Sequence, residues 1–227
     1  KYYEYFINQG FTDHRAFSNY GAILKNLGNL KEAEVSTRKA IKLNPDYAIG
    51  HSNLGSILKD LGQLKEAEIS IRKAIELNPN LADAHNNLGN LLRDLNNLKA
   101  AEKSIRKAIE LNPNFIEAYN NLGNILRDLG HLKAAELATR KAIQLKPYFA
   151  MAHLTLGSIL SDLGKLVSAE LSYRKAIELK PDYAEAHSNL GNILSDLGKL
   201  QDAELSYRKA IELKPDYANA HLNLGNI

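Results

Sequence analysis

The 227-residue chain has no cysteine and no tryptophan, and Met151 is its one methionine. Without cysteine there is no disulfide and no thiolate metal site, and nothing marks the chain as built for an oxidising compartment. Long apolar runs are missing, so no segment reads as a bilayer span, and no signal peptide is visible. An excess of one charge is missing too: the net charge of +3 is too small to point to a nucleic-acid or membrane partner. What is present is 44% apolar and 24% charged residues, an ordinary globular composition. Together these absences lead to an expectation of a cytoplasmic protein without cofactor, nucleic acid or membrane. The chain begins with Lys1 and stops at "LGNI" (224–227), which reads as a piece of a longer protein.

The few prolines are all spaced alike. Pro45, Pro79, Pro113, Pro147, Pro181 and Pro215 lie 34 residues apart. Seven glycines, Gly21 to Gly225, keep that period. Gly28, Gly62, Gly130, Gly164 and Gly198 keep it in a second register, with Asn96 at the missing place. A fixed period of this length means a stacked-repeat architecture. Numbered from His14, Ala48, Ala82, Ile116, Ala150 and Ala184, the repeat gives six units: 14–47, 48–81, 82–115, 116–149, 150–183 and 184–217. Residues 218–227 begin a seventh, and residues 1–13 read as a short lead-in helix.

Each unit reads as two helices. In "AEAHSNLGNILSDLG" (184–198), Ala186, Leu190, Ile193, Leu194 and Leu197 follow helical spacing. Asp182 is the expected N-cap, with Glu185 as its capping-box partner. Gly198 suits the left-handed residue past the helix end. In the second helix (200–214), Leu200, Ala203, Tyr207, Ala210 and Ile211 form the buried stripe, and Pro215 ends it. Gly191 and Ala203 stand where two helices must approach closely.

A 34-residue helix–turn–helix with Leu-Gly in the first helix, Ala in the second and Pro near the end resembles the tetratricopeptide repeat (TPR). The repeat text also looks like the arrays joined to O-linked N-acetylglucosamine transferase and to bacterial multi-domain proteins. The resemblance implies an all-α fold, a right-handed α-solenoid superhelix of stacked helix–turn–helix units. It further implies that first helices line a concave groove and second helices form the back. One departure is visible. The family's aromatic at repeat position 4 is mostly histidine here, at His51, His85, His153, His187 and His221. That position reads as a packing site rather than a metal site.

On the first helices a second stripe, at repeat positions 2, 5, 6, 9, 12 and 13, is mainly polar. Position 6 holds Asn19, Asn53, Asn87, Asn121, Asn189 and Asn223, with Thr155 the exception; position 9 holds Asn90, Asn124 and Asn192, and also Asn226. An amide offers donors and an acceptor together, which matches a peptide backbone. With first helices about 10 Å apart, an extended peptide at about 3.4 Å per residue meets one asparagine every third residue or so. The alternative is a solvated polar residue copied along with the repeat. In the glycosyltransferase arrays that this chain resembles, asparagines at this place contact bound peptide. Position 12 runs Lys25, Lys59, Arg93, Arg127, Ser161 and Ser195, so the groove is expected to be more basic at its N-terminal end. Met151 and Leu154, with Thr155, mark a candidate side-chain pocket in the fifth unit. No lysine stands at position 5 and no arginine at position 6, which disfavours a chaperone-type carboxylate clamp.

On the second helices an Arg-Lys pair recurs in every unit, but each arginine follows a glutamate by four residues, the spacing of intrahelical ion pairs. The same groups six times over do not make the single asymmetric constellation of an active site, so no catalytic residue is expected. The reading is a non-catalytic scaffold binding a protein or peptide. The rivals are a substrate-recruiting arm of a larger enzyme and a self-assembling module that forms a homo-dimer through the array ends.

Overall fold

The computed structural model describes residues 12–227, and among them every regular element is a helix. The first compact unit, up to Pro113, contains α1 (His14–Asn26), α2 (Leu30–Leu43), α3 (Ala48–Asp60), α4 (Leu64–Leu77), α5 (Ala82–Asp94) and α6 (Leu98–Leu111). The second, from Asn114, contains α7 (Ile116–Asp128), α8 (Leu132–Leu145), α9 (Ala150–Asp162), α10 (Leu166–Leu179), α11 (Ala184–Asp196), α12 (Leu200–Leu213) and α13 (Ala218–Leu224). Within each unit the odd-numbered helix packs on the even-numbered one after it, and the pair then stacks on the next pair. That is an all-α solenoid. The expected lead-in helix lies outside the described residues except for Thr12 and Asp13, and Asp13 caps α1 by accepting from the Arg15 amide.

The periodic apolar positions make the core. In the second unit Ala186, Leu190, Ile193 and Leu194 of α11 and Ala203, Tyr207 and Ala210 of α12 are buried in one cluster. Leu200 departs from the expected stripe and stays 45% exposed. Each helix pair forms its own hairpin but cannot cover its outer faces alone, so stability depends on the neighbouring pair.

The glycine in "NLGN" is a packing requirement. A Cβ on Gly191 would sit 2.6 Å from Cε1 of Tyr207 on the facing helix, closer than side chains tolerate. Gly198 is required by conformation instead: it lies at φ 73°, and Asn96 takes the same place at φ 58°. The Lys199 amide donates to the Leu194 carbonyl at 2.8 Å, closing the helix end in a Schellman arrangement.

The N-terminal cap is a correction. α11 begins from Tyr183, with no side-chain cap, rather than from Asp182. The connection is instead held by the position-4 histidine. In His51, His85, His153, His187 and His221, Nε2 lies 2.8–2.9 Å from the carbonyl oxygen of the proline six residues earlier. A carbonyl only accepts, so the ring donates there. A phenylalanine at this place could pack but could not satisfy that carbonyl. No helix among the described residues is long and apolar enough to cross a membrane.

Candidate functional site

The first helix of each pair turns one side toward its partner and leaves the opposite side open. Positions 5 and 6 fall between these sides, and the structure separates them sharply. Position 5, expected on the open stripe, is buried: Ser18, Ser52, Asn86, Asn120, Leu154 and Ser188 are all at most 8% exposed. Adjacent first helices cover it. Leu154 is therefore part of the core cluster and Thr155 is buried beside it, whereas Met151 is exposed. The side-chain pocket expected from these three residues does not form, because one turn of helix points two of them inward.

The asparagines of position 6 sit at the border and tie successive repeats together. In the first unit Nδ2 of Asn53 donates to Ser18 Oγ at 3.0 Å, and Nδ2 of Asn87 donates to Ser52 Oγ at 3.0 Å. Each bond joins position 6 of one repeat to position 5 of the repeat before. In the second unit Asn189 faces the place where the preceding repeat carries Leu154, which cannot accept. Asn189 makes no hydrogen bond among the described residues. Asn223 turns instead to Asn192, whose Oδ1 accepts from Nδ2 of Asn223 at 2.7 Å and from the Tyr207 hydroxyl at 2.8 Å.

Tyrosine reaches the open side by an unexpected route. Tyr173 and Tyr207 stand on second helices, yet their rings pass over Gly157 and Gly191. Their hydroxyls donate to position 9 of the first helix, Tyr173 to Ser158 Oγ at 3.1 Å and Tyr207 to Asn192. Burial pushes the Tyr173 phenol above its ordinary pKa, so it stays a neutral donor. Asn90 and Asn124 hold the same position 9 in α5 and α7 and are half-buried.

Charges along the open side pair from one repeat to the next. Lys25 Nζ lies 3.3 Å from Asp60, Lys59 Nζ lies 3.2 Å from Asp94, and Arg127 binds Asp162 with two nitrogens. The hydrogen bond to Asp162 holds the Arg127 guanidinium above its usual pKa. These pairs correct the expected basic end, since the first unit's lysines are neutralised by aspartates of the following repeat. Ser161 breaks the series, so Asp196 has no cationic partner among the described residues, and Glu185 likewise has none. Asn19, Asn121 and Arg93 are each engaged by a neighbouring group.

Each unit carries a hollow on this side. In the first, about 270 Å³ is lined by residues including Lys25, Ile49, Asn53, Asp83 and Asn87. In the second, about 320 Å³ is lined by Arg127, Ser161, Glu185, Asn189, Asn192 and Tyr217, among others. The second is almost wholly polar and contains the unbonded Asn189. No group of three or more histidine, aspartate or glutamate side chains comes together to hold a metal ion among the described residues.

The asparagines and the cations were visible in the sequence. Their partners were not. Part of the signal was present, however: Asn53 and Asn87 each follow a repeat with serine at position 5, and wherever position 12 is basic, the next repeat carries aspartate at position 13.

No curated protein matches the chain. Among solved structures, YrrB, a TPR protein with an unusual peptide-binding site, is 26% identical over 84% of this chain and 98% of its own, with a TM-score of 0.59. MamA is 26% identical over 73% of this chain and 96% of its own, with a TM-score of 0.61. A chain of the Cut9–Hcn1 hetero-tetramer of the APC/C matches 98% of this chain with 44% of its own at a TM-score of 0.89; at 15% identity this is a likeness of fold alone. Models of the tetratricopeptide repeat match residues 14–47, 82–115 and 105–136, and those of the TPR repeat match 55–95, 157–198 and 191–227. The period, the helix pairs, the close-packed glycines and these matches agree: the chain belongs to the tetratricopeptide repeat family and is a protein–protein interaction scaffold.

Proposed function

We propose that the open first-helix side of each unit binds an extended peptide segment through its backbone, with asparagine amides as the principal contacts. The observation that carries this reading is Asn189. It lines a polar hollow with its whole hydrogen-bonding capacity unused, although a solvated helix position is better served by alanine, lysine or glutamate. Asn53 and Asn87 support it differently. The amide nitrogen of each is spent on the previous repeat, Asn53 on Ser18 Oγ and Asn87 on both Ser52 Oγ and, at 3.4 Å, the Ser52 carbonyl, which fixes the side chain and leaves the amide oxygen for a ligand. Fixed amides lose less freedom on binding than mobile ones. Glu185 lines the second hollow without a cationic partner among the described residues, so the segment bound there is one without acidic side chains. YrrB, similar in sequence over most of both chains, is a TPR protein with a peptide-binding site.

The test is selection of random twelve-residue peptides displayed against the immobilised chain. Enriched peptides should bind Asn189→Ala about tenfold more weakly, the value of roughly one to two hydrogen bonds, with the circular dichroism spectrum unchanged. Failure to enrich any peptide, or equal binding to Asn189→Ala, contradicts the proposal.

A further inference from the structure

The second helices present a feature that the groove leaves unexplained. Repeat position 22 is a large aliphatic residue in five of six repeats, at Val35, Ile69, Leu137, Leu171 and Leu205, and each is 65–71% exposed. The exception is Lys103 in α6. Every one of these residues follows a glutamate that pairs with the arginine four residues on, so the position faces outward, away from the helix partner. In the second unit the stripe is uninterrupted over α8, α10 and α12, and Val167, 64% exposed, widens it one turn before Leu171.

We infer that this face of the second unit is the contact of a homodimer, in which α10 packs against α10 of a second copy about a two-fold axis. Three features of this face select a second copy as the occupant. First, most of the cations flanking the stripe are already engaged, with Lys165 and Lys199 adding a second cation to Glu136 and Glu170 and Lys141 reaching Gln144. Glu136–Arg140, Glu170–Arg174 and Glu204–Arg208 pair within their helices, as do Lys175–Glu178 and Lys209–Glu212. A lipid surface or a nucleic acid would need a cluster of cations free of carboxylate partners there. Second, the apolar residues recur once per second helix, at a spacing of about 10 Å, and a surface with that same spacing is this surface itself. Third, α10 is the middle helix of the three. A two-fold axis through it brings Leu171 beside Leu171 of the second copy and each Leu137 opposite a Leu205, so no apolar residue is left over. The four exposed side chains offer roughly 400 Å² of apolar surface per copy. With the flanking ion pairs, the contact approaches the roughly 800 Å² per partner of a standard interface. This contact is distinct from a dimer through the array ends. It also leaves the groove open, since the two faces lie on opposite sides of each helix pair.

The absence of cysteine makes the test clean, because any introduced cysteine is unique. Leu171→Cys should form a disulfide-linked dimer under mild oxidation. Leu137→Cys and Leu205→Cys should cross-link when mixed and not when alone. In sedimentation equilibrium the unmodified chain should dimerise. Leu171→Glu should raise the dissociation constant about a hundredfold, while Val35→Glu in the first unit leaves it unchanged. A chain that stays monomeric up to about 200 µM, a dimer that survives Leu171→Glu, or Leu137→Cys cross-linking to itself would each overturn the inference. The mutated side chains are mostly exposed, so loss of fold does not confuse the reading, and circular dichroism checks it.

Discussion

Asn87→Ala and Asn189→Ala replace the same repeat position in equivalent helices, yet their effects on stability should have opposite signs. Both lie in the interior of a 13-residue helix, α5 or α11, and in both asparagine gives way to a better helix former. The gain is about 0.5 kcal/mol in each case. Asn87 also donates to Ser52 Oγ at 3.0 Å, and Ser52 is only 2% exposed. Removing that donor leaves a buried hydroxyl with one partner fewer, at a cost of about 1 kcal/mol. Asn189 has no such bond to lose. Asn87→Ala should therefore destabilise by about 0.5 kcal/mol and Asn189→Ala stabilise by about the same, because helix propensity cancels and the hydrogen bond remains. Urea unfolding followed by circular dichroism reads the difference. Hydrogen exchange in α5 and α11 localises it, since long arrays need not unfold in two states. On a Ser52→Ala background the Asn87→Ala penalty should shrink to what the longer bond to the Ser52 carbonyl, at 3.4 Å, contributes. Equal effects at the two positions would refute the assignment of Asn87 as an inter-repeat tie.

Three further outcomes follow from the same geometry. Both amide atoms of Asn120 are buried without a partner, so Asn120→Leu, the residue found at the same position in the next repeat, should raise stability by about 1–3 kcal/mol in urea melts. Gly191→Ala drives a Cβ to 2.6 Å from the Tyr207 ring; overpacking of about 1–3 kcal/mol against a propensity gain of about 1 should lower the melting temperature on balance. Hydrogen bonds from Lys165 and then Arg140 lower the Glu136 pKa below 4.5, and those from Lys199 and Arg174 do the same for Glu170 against the opposing effect of burial. A lowered folded-state pKa adds stability that is present above 4.5 and lost as pH falls through the folded value. Acid titration of stability should thus steepen below pH 4.5, and Glu136→Gln with Glu170→Gln should flatten it.

The fold was legible because repetition makes every packing constraint visible several times. Proline, glycine and alanine registers each mark one steric event, and the same event recurs in all units. Position 5 was misread for a geometric reason. It is separated from position 6 by a single 100° step, and polarity gave no warning, since Ser18, Ser52 and Ser188 are polar and buried. What distinguishes the two positions is the neighbouring repeat, which a single helical wheel omits. The same limit hid the Lys25–Asp60 and Arg127–Asp162 pairs, whose members are 35 residues apart and belong to successive repeats. The exposed aliphatic residue at position 22 was legible as a recurrence but not as a surface feature, because only the placement of the helix partner shows that it faces away.

Backbone recognition in the groove is tested most directly by N-methyl scanning of a peptide enriched on this chain. Methylating a backbone nitrogen removes one donor while keeping every side chain. The account predicts that N-methylation at every third residue or so weakens binding about tenfold or more. Alanine at the same places should have little effect. Binding that ignores N-methylation and collapses on side-chain replacement would contradict the central claim.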